Sequence, residues 1–258
     1  GWQALKSLWQ TGQNICWGNT VLAAQGEDRV ESATFGRIDG SNRQTISVDT
    51  ICLGYGFTPS VQLSRQARCE HHYEYKLGGW VPVRDEWLET TVRGIYAAGD
   101  GAGIGGKDTA NFEGQLAALG AAQSLGKATP SERVSQVQRN LKRQKRFAHV
   151  LNTFFPFPSQ TTSLLTDETV ICRCEGVRVK DVHQMISEGA TTLGVLRKLT
   201  RAGMGRCQGR MCGHVVAEVL SQQMNQPLDQ LEVATPRPPV MPIPLHGLAD
   251  HPEKIPSP

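Results

Sequence analysis

Two short stretches of this chain place cysteines where they could do metal chemistry. One reads Ile171-Cys172-Arg173-Cys174-Glu175-Gly176. The other reads Gly203-Met204-Gly205-Arg206-Cys207-Gln208-Gly209-Arg210-Met211-Cys212-Gly213, so four of the seven cysteines form two close pairs with 32 residues between them. Four thiolates delivered from two loops meet the needs of a [2Fe-2S] cluster, because each iron takes two cysteine sulfurs and keeps a tetrahedral sulfur environment. Zinc accepts the same donors, but its structural sites usually place each pair at C-x2-C to C-x4-C, and a C-x-C arm fits that pattern poorly. Four reduced structural cysteines are the plainest alternative. Gly203, Gly205, Gly209 and Gly213 crowd the second pair and would let backbone N–H groups approach the sulfurs. Such donors, with Arg173, Arg206 and Arg210 alongside, would favour the more negative reduced state and raise the potential.

The elements that must position these arms are short helices. Residues 177–189 read as a helix with Val179, Val182, Met185 and Ile186 on one face, stopped by Gly189. Thr191 or Thr192 can cap a second helix carrying Leu193, Leu196 and Leu199, which Gly203 ends. A third begins near Cys212 and carries Val215, Val216, Val219 and Leu220 to about Asn225. Three such helices make a module of about 55 residues, held by its metal as much as by its core.

At these residues the chain resembles the bacterioferritin-associated ferredoxin-like [2Fe-2S] domain, whose ligands come as C-x-C followed, after a similar spacer, by a second pair. That second pair is usually C-x2-C, whereas here it is C-x4-C. The longer form resembles the alpha subunits of FAD/[2Fe-2S] amino-acid dehydrogenases, the family that holds the A subunit of opine oxidase, the B subunit of hydrogen cyanide synthase and dye-linked proline or hydroxyproline dehydrogenases. The resemblance implies a cluster held by Cys172, Cys174, Cys207 and Cys212. It also implies a separate FAD-dependent amine-oxidase-like beta subunit that takes a hydride from the substrate C–N bond, with this chain relaying electrons to an unknown acceptor.

A second constellation lies upstream. Residues 90–100, TTVRGIYAAGD, read as a threonine, a turn, a short buried strand and a Gly-Asp pair, followed by a helix over about residues 109–125. A carboxylate at the carboxyl end of a parallel strand can accept hydrogen bonds from a ribityl hydroxyl. The helix behind it, capped by Asp108 or Thr109, would aim its first N–H groups at a pyrophosphate or flavin edge. Gly114, Ala117, Ala118, Gly120, Ala121 and Ala122 keep that helix slim. The segment resembles the second FAD motif of glutathione-reductase-like flavoproteins, T-x6-A-x-G-D, with Thr91, Ala98, Gly99 and Asp100 in its places. The resemblance extends the cofactor contacts to Gly101, Thr109 and Ala110, with FMN or ATP as alternatives to FAD. Gly101-Ala102-Gly103-Ile104-Gly105-Gly106 satisfies G-x-G-x-x-G, yet it follows the Asp and lacks the acidic residue that ends a second strand, so it reads as a flexible loop.

The rest of the chain fits around these two features. A helix at residues 2–10 precedes strands at 20–24 and 30–38, joined through Gly26-Glu27-Asp28. Residues 45–53 are β-rich and run into Gly54-Tyr55-Gly56-Phe57-Thr58-Pro59, which resembles the exit from the nucleotide domain of flavoprotein reductases. Residues 69–75 and 78–85 form a hairpin with its tip at Leu77-Gly78-Gly79-Trp80. Residues 131–152 form an amphipathic helix with Val134, Val137, Leu141, Ala148 and Leu151 inward and a solvated basic face. Phe154-Phe155-Pro156-Phe157-Pro158 serves as a linker. The tail, proline-rich beyond Pro236, reads as extended and weakly ordered.

These pieces predict an α/β chain, a partial two-dinucleotide-binding-domain flavoprotein followed by a small helical [2Fe-2S] domain. Its expected divisions are residues 1–62 (remnant of an NAD(P)-type domain), 63–127 (closing half of an FAD domain), 128–165 (basic helix and linker), 166–226 (cluster domain) and 227–258 (tail). The chain starts at Gly1 rather than Met and lacks the first fingerprint of both nucleotide domains, as expected of the C-terminal part of a longer flavoprotein. A net charge of +3 predicts no nucleic-acid partner, and no apolar run reaches the length of a membrane span. Scattered Cys16, Cys52 and Cys69 suggest a reducing cytoplasm. No acid or base need touch substrate, which suits a relay. An NAD(P)H-dependent FAD reductase and a non-catalytic docking or redox-sensing module are the alternatives.

Overall fold

The computed structural model describes residues 10, 15–154, 161–240 and 242–246. It divides the chain into two compact units, Gly1–Gly54 and Tyr55–Pro258. The helix expected at residues 2–10 lies outside the described residues, apart from helical Gln10.

The first unit is an antiparallel sheet of β1 (Thr20–Gln25), β2 (Ser32–Gly36) and β3 (Gln44–Ser47), in that order. Threonines suit this pleated, half-buried surface, and Thr34 and Thr45 hydrogen-bond across the pair at 2.9 Å. The β-rich stretch expected over residues 45–53 stops at Ser47. Every residue of β3 is exposed, so no packed face carries the strand further.

In the second unit, a single helical turn, α1 (Gln62–Gln66), leads into the hairpin of β4 (His71–Glu74) and β5 (Gly79–Pro82). Its tip turns at Gly78, whose φ of 88° suits glycine; a Cβ there would also lie 2.5 Å from the Phe57 carbonyl oxygen. Helices α2 (Lys107–Ser124) and α3 (Ser131–Phe154) pack together around Leu88, Leu116, Ala117, Val137 and Leu141. The small residues of α2 are used as expected at Gly120, where a Cβ would fall 2.9 Å from the Cβ of Trp87. On α3, Leu151 is exposed rather than inward, because the core beneath the helix ends at Leu141. The aromatic linker lies outside the described residues beyond Phe154.

The remaining elements form a second core. Strands β6 (Val170–Cys172) and β7 (Val177–Arg178) make a tight antiparallel hairpin, followed by α4 (Val179–Ser187), α5 (Leu193–Thr200) and α6 (Gly213–Met224). Val182, Leu196, Ala217 and Leu220 are fully buried, with each Val or Leu side chain contributing about 1.5–3 kcal/mol. The Thr192 hydroxyl caps α5 by accepting from the Val195 N–H at 3.2 Å. Arg201 at φ 66°, not Gly203, ends that helix, and Leu199 faces solvent. The tail departs from expectation over its first part. Leu228, Leu231, Val233 and Ala234 pack onto this core, because apolar side chains precede the prolines.

All the paired strands are antiparallel among the described residues, so the parallel strand expected before Gly99 is not formed. Tyr96 makes one antiparallel bridge to Glu89, too little pairing for a strand. No helix among the described residues is long and apolar enough to cross a membrane.

Candidate functional site

The two cysteine arms meet in the second unit. A register irregularity between Val170 and Cys172 breaks the alternation of β6, and Ile171 and Cys172 are both buried. Cys174 lies beyond the strand, in the exposed turn to β7. The second arm winds from Arg201 through successive tight turns to Cys212, the buried residue at the head of α6. Cys172 and Cys212 contact each other, and Cys174 contacts Cys207, so each thiol's partner comes from the opposite arm. Among the described residues no three His, Cys, Asp or Glu side chains gather into one metal-ligand group. The thiols instead stand as two facing pairs.

Backbone and electrostatics explain how the sulfurs are held. The Gly203 N–H donates to the Cys172 sulfur at 3.5 Å. Burial pushes the Cys212 thiol up to about 12, and the neighbouring Cys172 and Cys207 sulfurs push the same way. Cys207 moves in the opposite direction. Against the upward push of burial, the N–H groups of Met211, Gly209 and Arg210 and the Cys174 thiol hold it below the ordinary thiol range. The glycines act through space as well as through donors. A Cβ at Gly205 would overlap the Cβ of Cys174, and Gly203 and Gly209, both near φ 80°, approach each other closely.

Several clamps on the arms have no signature in the cysteine spacing. Arg201 Nε donates to Glu175 Oε2 at 2.8 Å, tying one arm to the other. Arg197 reaches Gln208 Oε1 at 3.0 Å, and Gln208 returns its amide to the Met204 and Gly205 carbonyls. Arg210 donates to the carbonyls of Cys207 and Val240 at 3.1 Å each, so it braces the turn and the tail. Arg173 and Arg206 are exposed. Behind the arms, His214 Nε2 lies 3.2 Å from Glu218 Oε1 one turn along α6, and its ring stacks near Tyr73 of β4. That contact seats α6 against the β4–β5 hairpin.

The Gly-Asp segment is built differently. Gly99–Ala102 forms a tight 3-10 turn ending at fully buried Ala102, which replaces the flexible loop expected from Gly101 onward. Buried Glu113 of α2 organises it. Its Oε2 accepts from the Gly99 N–H at 2.9 Å and from Arg84 at 3.1 Å, and its Oε1 pairs with Lys145 of α3 at 3.0 Å. Arg84 also donates to the carbonyls of Ala97 at 2.8 Å and Ala102 at 3.2 Å, clasping the turn from both ends. Only the burial of Glu113 reveals this network, since sequence places the carboxylate amid small residues on a helix.

The turn sits against the start of α2, where a Cβ on Gly99 would be 3.2 Å from the Cβ of Ala110. Asp100 and Ala98 are exposed beside it, and Thr109 is buried against Gly105. The N-cap is Gly106, with no side-chain cap from Asp108 or Thr109, because the chain enters the helix through a positive-φ glycine. The threonine register also needs correction. Counting T-x6-A-x-G-D back from Asp100 reaches Thr90 and Ala97, and Thr90 is the buried one, with its hydroxyl accepting from the Val92 N–H at 3.3 Å and contacting Cys69. Thr91 is exposed and accepts from the Glu70 N–H at 2.9 Å. Thus Gly99, Asp100, Gly101, Thr109 and Ala110 come together, and Thr91 stands apart.

Known proteins resemble this chain in sequence and in fold. Residues 3–136, more than half of the chain, match the family described as pyridine nucleotide-disulphide oxidoreductase, and residues 166–251 match the sarcosine oxidase A3 domain. The A subunit of opine oxidase from Rhizobium meliloti is 31% identical over 238 residues, which cover 91% of this chain and 45% of the relative. Hydrogen cyanide synthase subunit HcnB of Pseudomonas aeruginosa is 32% identical over 206 residues, covering 76% of this chain and 44% of the relative. The chain therefore spans about half the length of these curated relatives. A crystal structure of L-proline dehydrogenase from P.horikoshii shares the fold, with a TM-score of 0.74 and 23% identity over 94% of this chain and 46% of that one.

Proposed function

The chain belongs to the pyridine nucleotide-disulphide oxidoreductase family, and from that premise we propose that it is part of the electron-transferring subunit of a heteromeric amino-acid dehydrogenase acting on a C–N bond. The observation that carries the proposal is the convergence of Cys172 with Cys212 and of Cys174 with Cys207 across two arms distant in sequence. Relatives named as subunits of opine oxidase and hydrogen cyanide synthase support the heteromeric setting. In this reading the partner is a subunit of the FAD-dependent amine-oxidase type.

The donor set fits a [2Fe-2S] cluster. Two facing thiol pairs would supply two sulfurs to each iron, and the glycine contacts leave room for backbone donors at the sulfurs. When bound, such a cluster supplies one-electron storage between a two-electron donor and an acceptor. Cys172 and Cys212, both buried, would hold its water-excluded side, and Cys174 and Cys207 its more accessible side. The Gly203 N–H, together with those of Gly209, Arg210 and Met211, favours negative charge on the sulfurs.

The nucleotide, FAD in this reading and FMN or ATP in its variants, would lie along the Gly99–Ala102 turn. Asp100 would accept from its hydroxyls, and Gly99, Gly101, Thr109 and Ala110 would allow close backbone approach. Arg84 and Glu113 would act indirectly, by holding that turn through its backbone.

Anaerobic reconstitution of the chain with iron and sulfide tests the reading. Visible absorbance bands that bleach on reduction are expected, and C207S and C212S chains should lack them. A chain that takes zinc in preference and shows no reducible chromophore overturns the proposal.

A further inference from the structure

A cavity of about 290 Å³ lies in the second unit between the β4–β5 hairpin and the segment that follows α6. Arg65, His71 and Trp80 line one side, and Asp229, Leu231 and Val233 line the other. The volume sits at the lower edge of the ~300–1,000 Å³ of ligand pockets, so the space suits a compact molecule rather than a dinucleotide.

Arg65 is the anomaly in this wall. Its guanidinium carbon lies 5.5 Å from the centroid of the Trp80 ring, which shields one face of the cation. Among the described residues, its buried Nη2 has no hydrogen-bond partner and no carboxylate comes within ion-pair distance of it. Burial pushes the guanidinium down to about 10 with no opposing charge to restore it. Asp229 faces the same cavity without closing an ion pair. His71 cannot relieve the imbalance, because its Nδ1 is bonded to the Cys69 carbonyl and its Nε2 to Ser64, each at 2.8 Å. A partly desolvated guanidinium with no ion-pair partner is costly, whereas one that meets a carboxylate or phosphate makes strong bidentate hydrogen bonds.

We propose that this cavity binds a compact organic anion, with a phosphate or carboxylate group seated on Arg65 and an apolar part against Trp80, Leu231 and Val233. No metal or flavin enters the argument, so the site stands independently of the function proposed above.

Calorimetric titration of the full 258-residue chain with inorganic phosphate and, separately, with succinate at constant ionic strength tests it. The wild type is expected to bind one or both saturably; phosphate alone points to a phosphate ester and succinate alone to a carboxylate. R65Q should weaken that binding by about 30-fold or more, as expected when one partner of a buried charged pair is removed. Without ligand, R65Q should be at least as heat-stable as the wild type, because it removes a half-buried charge that has no ion-pair partner. R65M, which keeps the stem against Trp80, gives the same reading if R65Q does not fold. D229N should tighten binding by removing a like charge. Failure of both probes to bind the wild type, or equal binding to the wild type and the Arg65 variants, overturns the proposal.

Discussion

The Gly-Asp turn and the cysteine arms are both assembled from segments remote in sequence, but they differ in what completes them. Around the turn, Glu113 accepts from Arg84 and the Gly99 N–H and pairs with Lys145, so the buried carboxylate is satisfied by the protein itself. In the arms, the buried Cys172 and Cys212 thiols are hydrogen-bonding neighbours, and ionising both would place like charges together. The first region is preformed. The second, in the function proposed here, waits for a cation to make its thiolates compatible, which couples metal binding to local folding.

The largest expected effect breaks the comparison on its weaker side. C212S should abolish metal binding, and chelators, which should lower the melting temperature of the loaded wild type, should then leave the variant unchanged. E113A should come next, destabilising the chain by about 3–5 kcal/mol in denaturant unfolding because Arg84 loses its partner inside the protein. In that variant, hydrogen exchange at Gly99 should accelerate while exchange in α6 stays unaltered, which localises the effect.

G205A sharpens the comparison from the other side. Its methyl would collide with Cys174, and a cost of about 1–3 kcal/mol is expected, measured as a fall in unfolding free energy together with weaker metal retention. G114A is the control. Open space surrounds that position on α2, and the substitution should stabilise by about 0.5–1 kcal/mol through helix propensity.

The smallest effect is in pH. Burial holds the His71 imidazole below its ordinary value of 6.5, with the Arg65 charge adding to the shift and the Cys69 carbonyl opposing it. The unfolded chain therefore takes up this proton more readily than the folded one. The stability His71 contributes is present above pH 6.5 and is lost as pH falls through the depressed folded value below it. A thermal-melt series from pH 7.5 down to about 5 should show that loss in the wild type and less of it in H71Q.

Features with a local period or cap were legible in the sequence. The β4–β5 hairpin, the Thr192 cap and the α6 stop at Asn225 follow from neighbouring residues. Features held by long-range polar contacts were not. Arg84 and Glu113 are 29 residues apart, and no local period or cap links them. Adjacent Thr90 and Thr91 are indistinguishable in pattern, and only burial separates them. In the tail, prolines dominate the composition and conceal Leu231 and Val233, which the α4–α6 core takes up.

The measurement that bears most directly on the electron-relay account is a count of iron, acid-labile sulfide and zinc in chain purified without oxygen and reconstituted. The account predicts about two irons and two sulfides per chain, lost together in C172S. Stoichiometric zinc, or no metal at all, would contradict it.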